Sequence, residues 1–273
     1  MNEEKHTARV AGISRLRFGT DGPGIRTLVA LGGCRLDCAY CINAPLRSLS
    51  AGTPSSAEEL LERVRIDNIY FLSSGGGVTF GGGEPLLRSA FIRRFREVCP
   101  PGWTLAVETS LNVPREDVER LLGVADHWIV DIKDLDPGRY LEYTGETNGQ
   151  VLANLDLLRR LGHAPKVLVR IPWIRGLNTP EEALREAGHL EAQGFRTELF
   201  DYIIPENFTR IYTDRRYQTL PGSMIDLRND VGENPEKVAH ADRETIKSIH
   251  ALLTTPIVGA IKMEDVHGTD WTD

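Results

Sequence analysis

Ile25-Arg26-Thr27-Leu28-Val29-Ala30-Leu31-Gly32-Gly33-Cys34-Arg35-Leu36-Asp37-Cys38-Ala39-Tyr40-Cys41 runs an apolar strand straight into a loop carrying three cysteines. Outward from it the same rhythm repeats. Short apolar runs at 77–80, 103–107, 127–132, 167–171 and 197–201 read as strands. They alternate with helical spacing at 57–64, 89–98, 115–122, 151–161 and 180–193. Pro180, the acidic pair Glu181 and Glu182, and Gly194 suit the start and end of the last helix. Alternation of this kind predicts an α/β fold with a parallel sheet. Six strand-helix units are too few to close an eight-stranded barrel, so the expectation is a partial (β/α)6 barrel, open on one side. Residues 1–12 read as a tail, 13–204 as the partial barrel and 205–273 as a C-terminal extension packed on it, with a helix at 243–253 and a strand at 257–261. The extension is too thin in apolar residues for a core of its own.

The chain has 273 residues and a formal net charge of -7, with no long basic run. That balance argues against a protein that grips phosphate backbones, so no nucleic acid is expected. No apolar stretch is long enough to span a membrane, and the N-terminus is polar and charged, which predicts a cytoplasmic protein. Three of the four cysteines fall within eight positions. In a cytosolic chain this suggests a metal or redox centre before a disulfide framework.

The spacing C-x-x-x-C-x-x-C lets one tight loop direct Cys34, Cys38 and Cys41 at three irons of a [4Fe-4S] cubane and leaves the fourth iron open to a chelating cosubstrate. A structural zinc site is the other reading, and would need a fourth ligand from across the fold. The loop follows a strand at the end where parallel α/β folds place their sites. Tyr40 can shield such a cluster.

At this point the chain resembles the radical SAM superfamily, and within it the activating enzymes of glycyl radical enzymes, such as those of pyruvate formate-lyase. The narrower likeness rests on Phe18-Gly19-Thr20-Asp21-Gly22-Pro23-Gly24-Ile25-Arg26, on the glycine turn Gly81-Gly82-Gly83-Glu84-Pro85, and on charged residues at strand ends. Weaker likenesses are Tyr143-Thr144-Gly145, Asn154 and Asn178. The likeness covers about residues 13–198.

The resemblance implies a [4Fe-4S] cluster on Cys34, Cys38 and Cys41, and S-adenosylmethionine cleaved reductively to a 5'-deoxyadenosyl radical. That radical would abstract a hydrogen atom from a glycine of a glycyl radical enzyme partner. It further implies that Tyr40, Asn43, Gly82, Gly83, Glu84, Glu108, Thr109, Asp131, Lys133 and Arg170 surround the cofactors, with Glu84 on the methionine ammonium and Arg170 a partner for its carboxylate. Asp131 and Lys133 suit a zwitterion or a monovalent cation. Asp21, Gly22 and Arg26 would hold a backbone loop of the protein substrate. The plain readings stand beside these: a surface turn at 18–26, a flexible glycine loop at 81–85, and packing ion pairs at Asp131-Lys133 and Arg170. A one-electron donor such as flavodoxin or ferredoxin is implied.

The chain departs from the family after Cys41, where Ile42 precedes Asn43 in place of the usual histidine, and in its tail after Asp201. No second cysteine cluster lies between Cys41 and Gly75. These departures keep open the alternative of a radical SAM enzyme that modifies a peptide or a small molecule.

Overall fold

The computed structural model describes residues 7–39, 41–174 and 177–202. Tyr40, the expected extension at 205–273 and the barrel's proposed limit at 204 lie outside the described residues.

The sheet has eight strands in the order β3-β1-β2-β4-β5-β6-β7-β8. These are β1 (Thr7–Phe18), β2 (Ile25–Leu31), β3 (Thr53–Ser56), β4 (Gly77–Gly82), β5 (Thr104–Thr109), β6 (His127–Asp131), β7 (Val167–Ile174) and β8 (Arg196–Tyr202). From β2 through β8 the pairing is parallel. That run is the expected six-stranded partial barrel, and it does not close. Beyond it β1 adds antiparallel to β2, and β3 antiparallel to β1. Residues 7–12, read from the sequence as tail, are therefore strand. Pairing with β2 and β3 makes them so: β1 buries Ala8, Val10, Gly12 and Ser14 and half-buries Arg9, Ala11 and Ile13, with a bulge between Val10 and Gly12.

Helices α1 (Ala57–Val64), α2 (Asn68–Ser74), α3 (Ser89–Val98), α4 (Arg115–Leu121), α5 (Pro137–Thr144), α6 (Gly149–Arg160) and α7 (Pro180–Glu191) connect the parallel strands. Capping boxes start two of them, Ser56 with Glu59 on α1 and Thr179 with Glu182 on α7. Alternation along the strands sorts the side chains. Val29, Leu31, Val78, Phe80, Leu105, Val107, Trp128, Val130, Val169 and Ile171 join one buried core with the helices. Phe80 meets Phe91 and Phe95 of α3 edge-on, at centroid distances of 6.3 and 5.3 Å. Their neighbours in sequence, Arg26, Thr79, Glu108, Asp131 and Arg170, fall on the opposite, concave face, and a polar interior follows from the same period of two.

On the helix side, α5 and α7 are joined through a carboxyl pair. Arg139 Nε donates to Asp134 Oδ2 at 2.8 Å and Nη1 to Glu182 Oε1 at 2.9 Å, and the Leu135 amide donates to Glu186 Oε1 at 2.9 Å. Burial, and then the neighbouring Asp134 carboxyl, push the Glu186 carboxyl up to about 8. The folded protein thus holds a proton that the unfolded chain, with an ordinary value of 4.5, releases. Stability from this proton is full below that value and is lost as pH rises through about 8, on the order of a few kcal/mol between those limits. Urea midpoints of the wild type should fall between about pH 6 and about pH 9, whereas E186Q, neutral throughout, should give a flatter profile and be the more stable of the two at the alkaline end. Parallel profiles would show that Glu186 carries no such proton.

Candidate active site

The three cysteines sit where β2 ends, on a loop fastened chiefly by its backbone, with the Asp37 carboxylate also paired with Arg47. Gly33 N donates to Leu46 O at 2.7 Å and Cys34 N to Arg47 O at 3.1 Å. Asp37 N and Ala39 N donate to Thr144 O and Tyr143 O, at 2.8 and 2.9 Å. The carbonyls at the C-terminus of α5, which lack partners within their helix, thus grip the cysteine loop. Tyr143-Thr144-Gly145 has its role here, Gly145 ending the helix at φ 75°.

The glycine turn lies against the same loop. Gly83 N donates to Leu31 O at 2.9 Å and Glu84 N to Gly33 O at 2.7 Å, while Asn43 Nδ2 reaches Gly82 O at 3.1 Å. A Cβ on Gly83 would run into the Gly33 carbonyl, so only glycine permits this approach.

Glu84 is buried, and its carboxylate accepts from Thr109 Oγ1 (2.6 Å), Leu86 N (3.1 Å), Ser110 N (2.9 Å) and Ser110 Oγ (2.7 Å). Burial pushes it up against the pull of those donors. Each oxygen already has two donors, so an ammonium can enter only by displacing the rotatable hydroxyls of Thr109 or Ser110. Ser110 was not singled out from the sequence, although its place directly after Thr109 at a strand end was the available signal. Asn154, buried on α6, shapes the loop that carries Ser110: its Nδ2 donates to Leu111 O at 2.9 Å and Val113 O at 2.8 Å, across Leu111 at φ 60°. Asn178 holds the end of β7 in the same manner, through Ile174 N and Pro172 O.

Below this rim the concave face holds a charge network. Arg170 Nη1 donates to Glu108 Oε1 at 2.8 Å, Nε to Glu198 Oε2 at 3.1 Å, and Nη2 to the Thr20 carbonyl. Arg17 pairs with Asp21, and Lys133 Nζ lies 3.5 Å from Asp131 Oδ2. Burial and the Asp131 carboxylate push Glu108 up to about 7, against the opposing pull of Arg170. Both ion pairs read as packing alternatives from the sequence are therefore present. Glu198 and Arg17 were missed, though Arg17 stands four residues before Asp21, and Glu198 is the strand neighbour of Arg170.

The segment read as a substrate clamp packs within the sheet's concave side. The hairpin turn between β1 and β2 folds onto the concave face: Thr79 Oγ1 donates to Asp21 O at 2.7 Å, and Gly22 lies against Arg26 and Ala106. Arg26 is fully buried. All five of its N–H groups are used, on Thr79 Oγ1, Pro23 O, Thr104 Oγ1, Val78 O and Thr104 O. It welds the turn to β4 and β5. Asp21 keeps its place on the concave face, with its carboxylate on Arg17.

Burial holds the thiols of Cys34, Cys38 and Cys41 up to about 11. Among the described residues no group of three or more histidine, cysteine or carboxylate side chains gathers around one point, as a mononuclear ion requires. Three sulfurs on one loop suit the separate corners of a cubane instead. Asn43 Oδ1 is buried without a partner, an acceptor available to a cosubstrate donor. The residues fit both a cluster and S-adenosylmethionine. Among the described residues no helix is long and apolar enough to cross a membrane.

Comparison with known proteins agrees with this geometry. Residues 28–198 match the family model "Radical SAM superfamily". The chain is 37% identical over 150 residues to the (2S)-3-sulfopropanediol dehydratase activating enzyme of Klebsiella oxytoca, covering 53% of this chain and 47% of that protein. It is 34% identical over 171 residues to the pyruvate formate-lyase-activating enzyme of Clostridium pasteurianum, covering 62% and 71%. The chain thus spans about half the length of the first relative and more of the second. Streptococcus suis SuiB bound to S-adenosylmethionine shares the fold at a TM-score of 0.52 and 15% identity, over 77% of this chain and 47% of SuiB. The cofactors are those of the family, a [4Fe-4S] cluster and S-adenosylmethionine. The chain belongs to the radical SAM superfamily and, within it, to the family of glycyl-radical-enzyme activating enzymes.

Proposed function

We propose that this protein is an activating enzyme: it cleaves S-adenosylmethionine reductively and removes a hydrogen atom from a glycine of a glycyl radical enzyme. The observation that carries this reading is the joining of three elements at one end of the parallel strands. A three-cysteine loop, the glycine turn that Asn43 ties to it, and the polar concave face meet there. The likeness to named activating enzymes supports the partner class.

When bound, the cluster supplies the electron that splits the sulfonium into methionine and a 5'-deoxyadenosyl radical. The chain's own residues position and shield. Cys34, Cys38 and Cys41 hold iron. Gly82, Gly83 and Asn43 present backbone and amide groups to S-adenosylmethionine. Glu84 takes its ammonium in exchange for a hydroxyl donor from Thr109 or Ser110. Asp131 and Lys133, with Glu108 and Arg170 beneath, face its carboxylate or a monovalent cation. Asp21 and Gly22 lie on the floor where a substrate backbone would end. A one-electron donor of the flavodoxin or ferredoxin kind, and the cytoplasm as compartment, complete the reading.

The test is anaerobic. Protein reconstituted with iron and sulfide, reduced, and given S-adenosylmethionine with a candidate glycyl radical enzyme should form 5'-deoxyadenosine together with a glycyl radical signal on the partner by electron paramagnetic resonance. 5'-Deoxyadenosine formed without that signal on any such partner would shift the assignment to a peptide- or small-molecule-modifying enzyme.

A further inference from the structure

Between Ser14 and Arg17, β1 carries one residue more than β2 opposite it: Ser14 pairs with Leu28 and Arg17 with Arg26. Within this bulge Leu16 is held at φ 54°, a left-handed backbone that a leucine disfavours. The bulge decides which side chain turns inward. Directly opposed residues of an antiparallel pair share a face, and Arg26 lies on the concave face with Thr79, so Arg17 lies there too. Leu16 is left 37% exposed, while the Arg17 side chain keeps only 8% of its surface. A leucine in water and an arginine inside reverse what burial favours, and the backbone is strained to hold them so. Such an arrangement marks a place that uses the cation.

On the concave face Arg17 donates through Nε and Nη2 to the two carboxylate oxygens of Asp21. Asp21 belongs to the hairpin turn, whose backbone is fixed to the same face by Thr79 Oγ1 and Arg170 Nη2. Arg26, across the pair, has all five N–H groups engaged. Arg17 differs. Its third nitrogen, Nη1, has no hydrogen-bond partner among the described residues and is not closed off from solvent. Because the Arg17-Asp21 pair is already balanced in charge, the acceptor that suits this remaining donor is neutral.

We propose that Arg17 binds the substrate: Nη1 donates to a backbone carbonyl oxygen of the glycine loop that the partner inserts, while Nε and Nη2 hold Asp21. The inference deepens the reading as an activating enzyme and rests on it. The guanidinium fork is fixed in advance by Asp21, so no flexible side chain has to be ordered when the carbonyl arrives.

The probe is a capped, uncharged pentapeptide with α-deuterated glycine at its centre. Reconstituted, reduced protein is given S-adenosylmethionine and this peptide, and deuterium arriving in 5'-deoxyadenosine is measured by mass spectrometry against peptide concentration. R17Q should raise the half-saturating concentration about 10- to 100-fold, the worth of a hydrogen bond from a charged donor, with the rate at saturation within about 3-fold of wild type. R17K keeps a cation on Asp21, and with it the fold, but has one nitrogen for two tasks and should show a rise as well. R17K therefore decides if R17Q fails to fold. An unchanged half-saturating concentration in either folded variant would overturn the proposal, and so would a loss confined to the rate at saturation. A second peptide, with aspartate next to the glycine, should be affected to the same degree. A rise confined to that acidic peptide would overturn the proposal in favour of a carboxylate acceptor. A wild type that forms 5'-deoxyadenosine but takes deuterium from no glycine, in peptide or partner, would sink the activating-enzyme reading instead, so the two failures are distinguishable.

Discussion

Replacing Cys34, Cys38 and Cys41 together by alanine is expected to abolish iron uptake and lower 5'-deoxyadenosine formation to the no-enzyme background, while the protein still folds. The fold survives because the loop hangs on backbone donors and acceptors: Asp37 and Ala39 amides on the end of α5, Gly33 and Cys34 amides on Leu46 and Arg47. Alanine preserves all four bonds. The loss of buried sulfur from Cys34 and Cys38, which pack at the edge of the core, costs about 1 kcal/mol each. Each single variant should fail in the same way, since a cubane that must leave one iron open to the cosubstrate cannot spare a thiolate. Cys99 supplies the control. It is buried after α3 with Sγ 3.6 Å from Arg96 O, remote in sequence from the loop, and C99A should load iron and cleave S-adenosylmethionine like the wild type. Iron counted per chain, with the visible spectrum, checks all of these. A triple variant that still binds iron, or a C99A that does not, would remove the cysteine loop from the chemistry.

The parallel core was legible because burial imposes a pattern. Strands β2 and β4 to β8 are short apolar runs between helical periods, and β2 is bounded as the sequence suggests. What escaped was structure made by pairing. β1 mixes arginines, small residues and a bulged register, and its strand character comes from β2 on one side and β3 on the other. Helix α2 escaped too, since Ile69, Tyr70 and Leu72 are exposed and give it no amphipathic signature.

At the site, motif and spacing located the loop, the glycine turn and the charged strand ends, yet could not say who bonds to whom. Arg26 illustrates the limit. From sequence it is a cation beside a glycine-rich turn, suited to a substrate, and only the fold reveals that five carbonyl and hydroxyl acceptors converge on it. Glu84 gains three of its four donors from Thr109 and Ser110, far along the chain, which no local pattern encodes. The inward turn of Arg17 is likewise a product of strand pairing, set by the bulge at Leu16.

R170M should be the most damaging substitution away from the cysteines. Arg170 is the cation between Glu108 and Glu198, and its third nitrogen holds the Thr20 carbonyl of the hairpin turn. Methionine keeps most of the volume but leaves Glu108 facing Asp131 with no direct partner, and breaking a buried pair by removing one member costs about 3–5 kcal/mol. Against a typical total of about 5–15 kcal/mol that is a large share. The loss should depend on pH in a definite direction. Glu108 already sits above its ordinary value, and Arg170 is what pulls it back, so removing the arginine lifts it further. A carboxyl raised in the folded state contributes stability that is present below 4.5 and lost as pH rises through its folded value. The gap in urea midpoint between wild type and R170M should therefore be small near pH 5 and widen toward pH 8. The double variant R170M/E108Q, which has no carboxylate to strand, should recover much of the loss at the alkaline end, short of the share owed to Thr20 and Glu198. A gap that stays constant with pH, or a double variant no better than R170M, would mean that the guanidinium acts by packing alone and that Glu108 is not held by it.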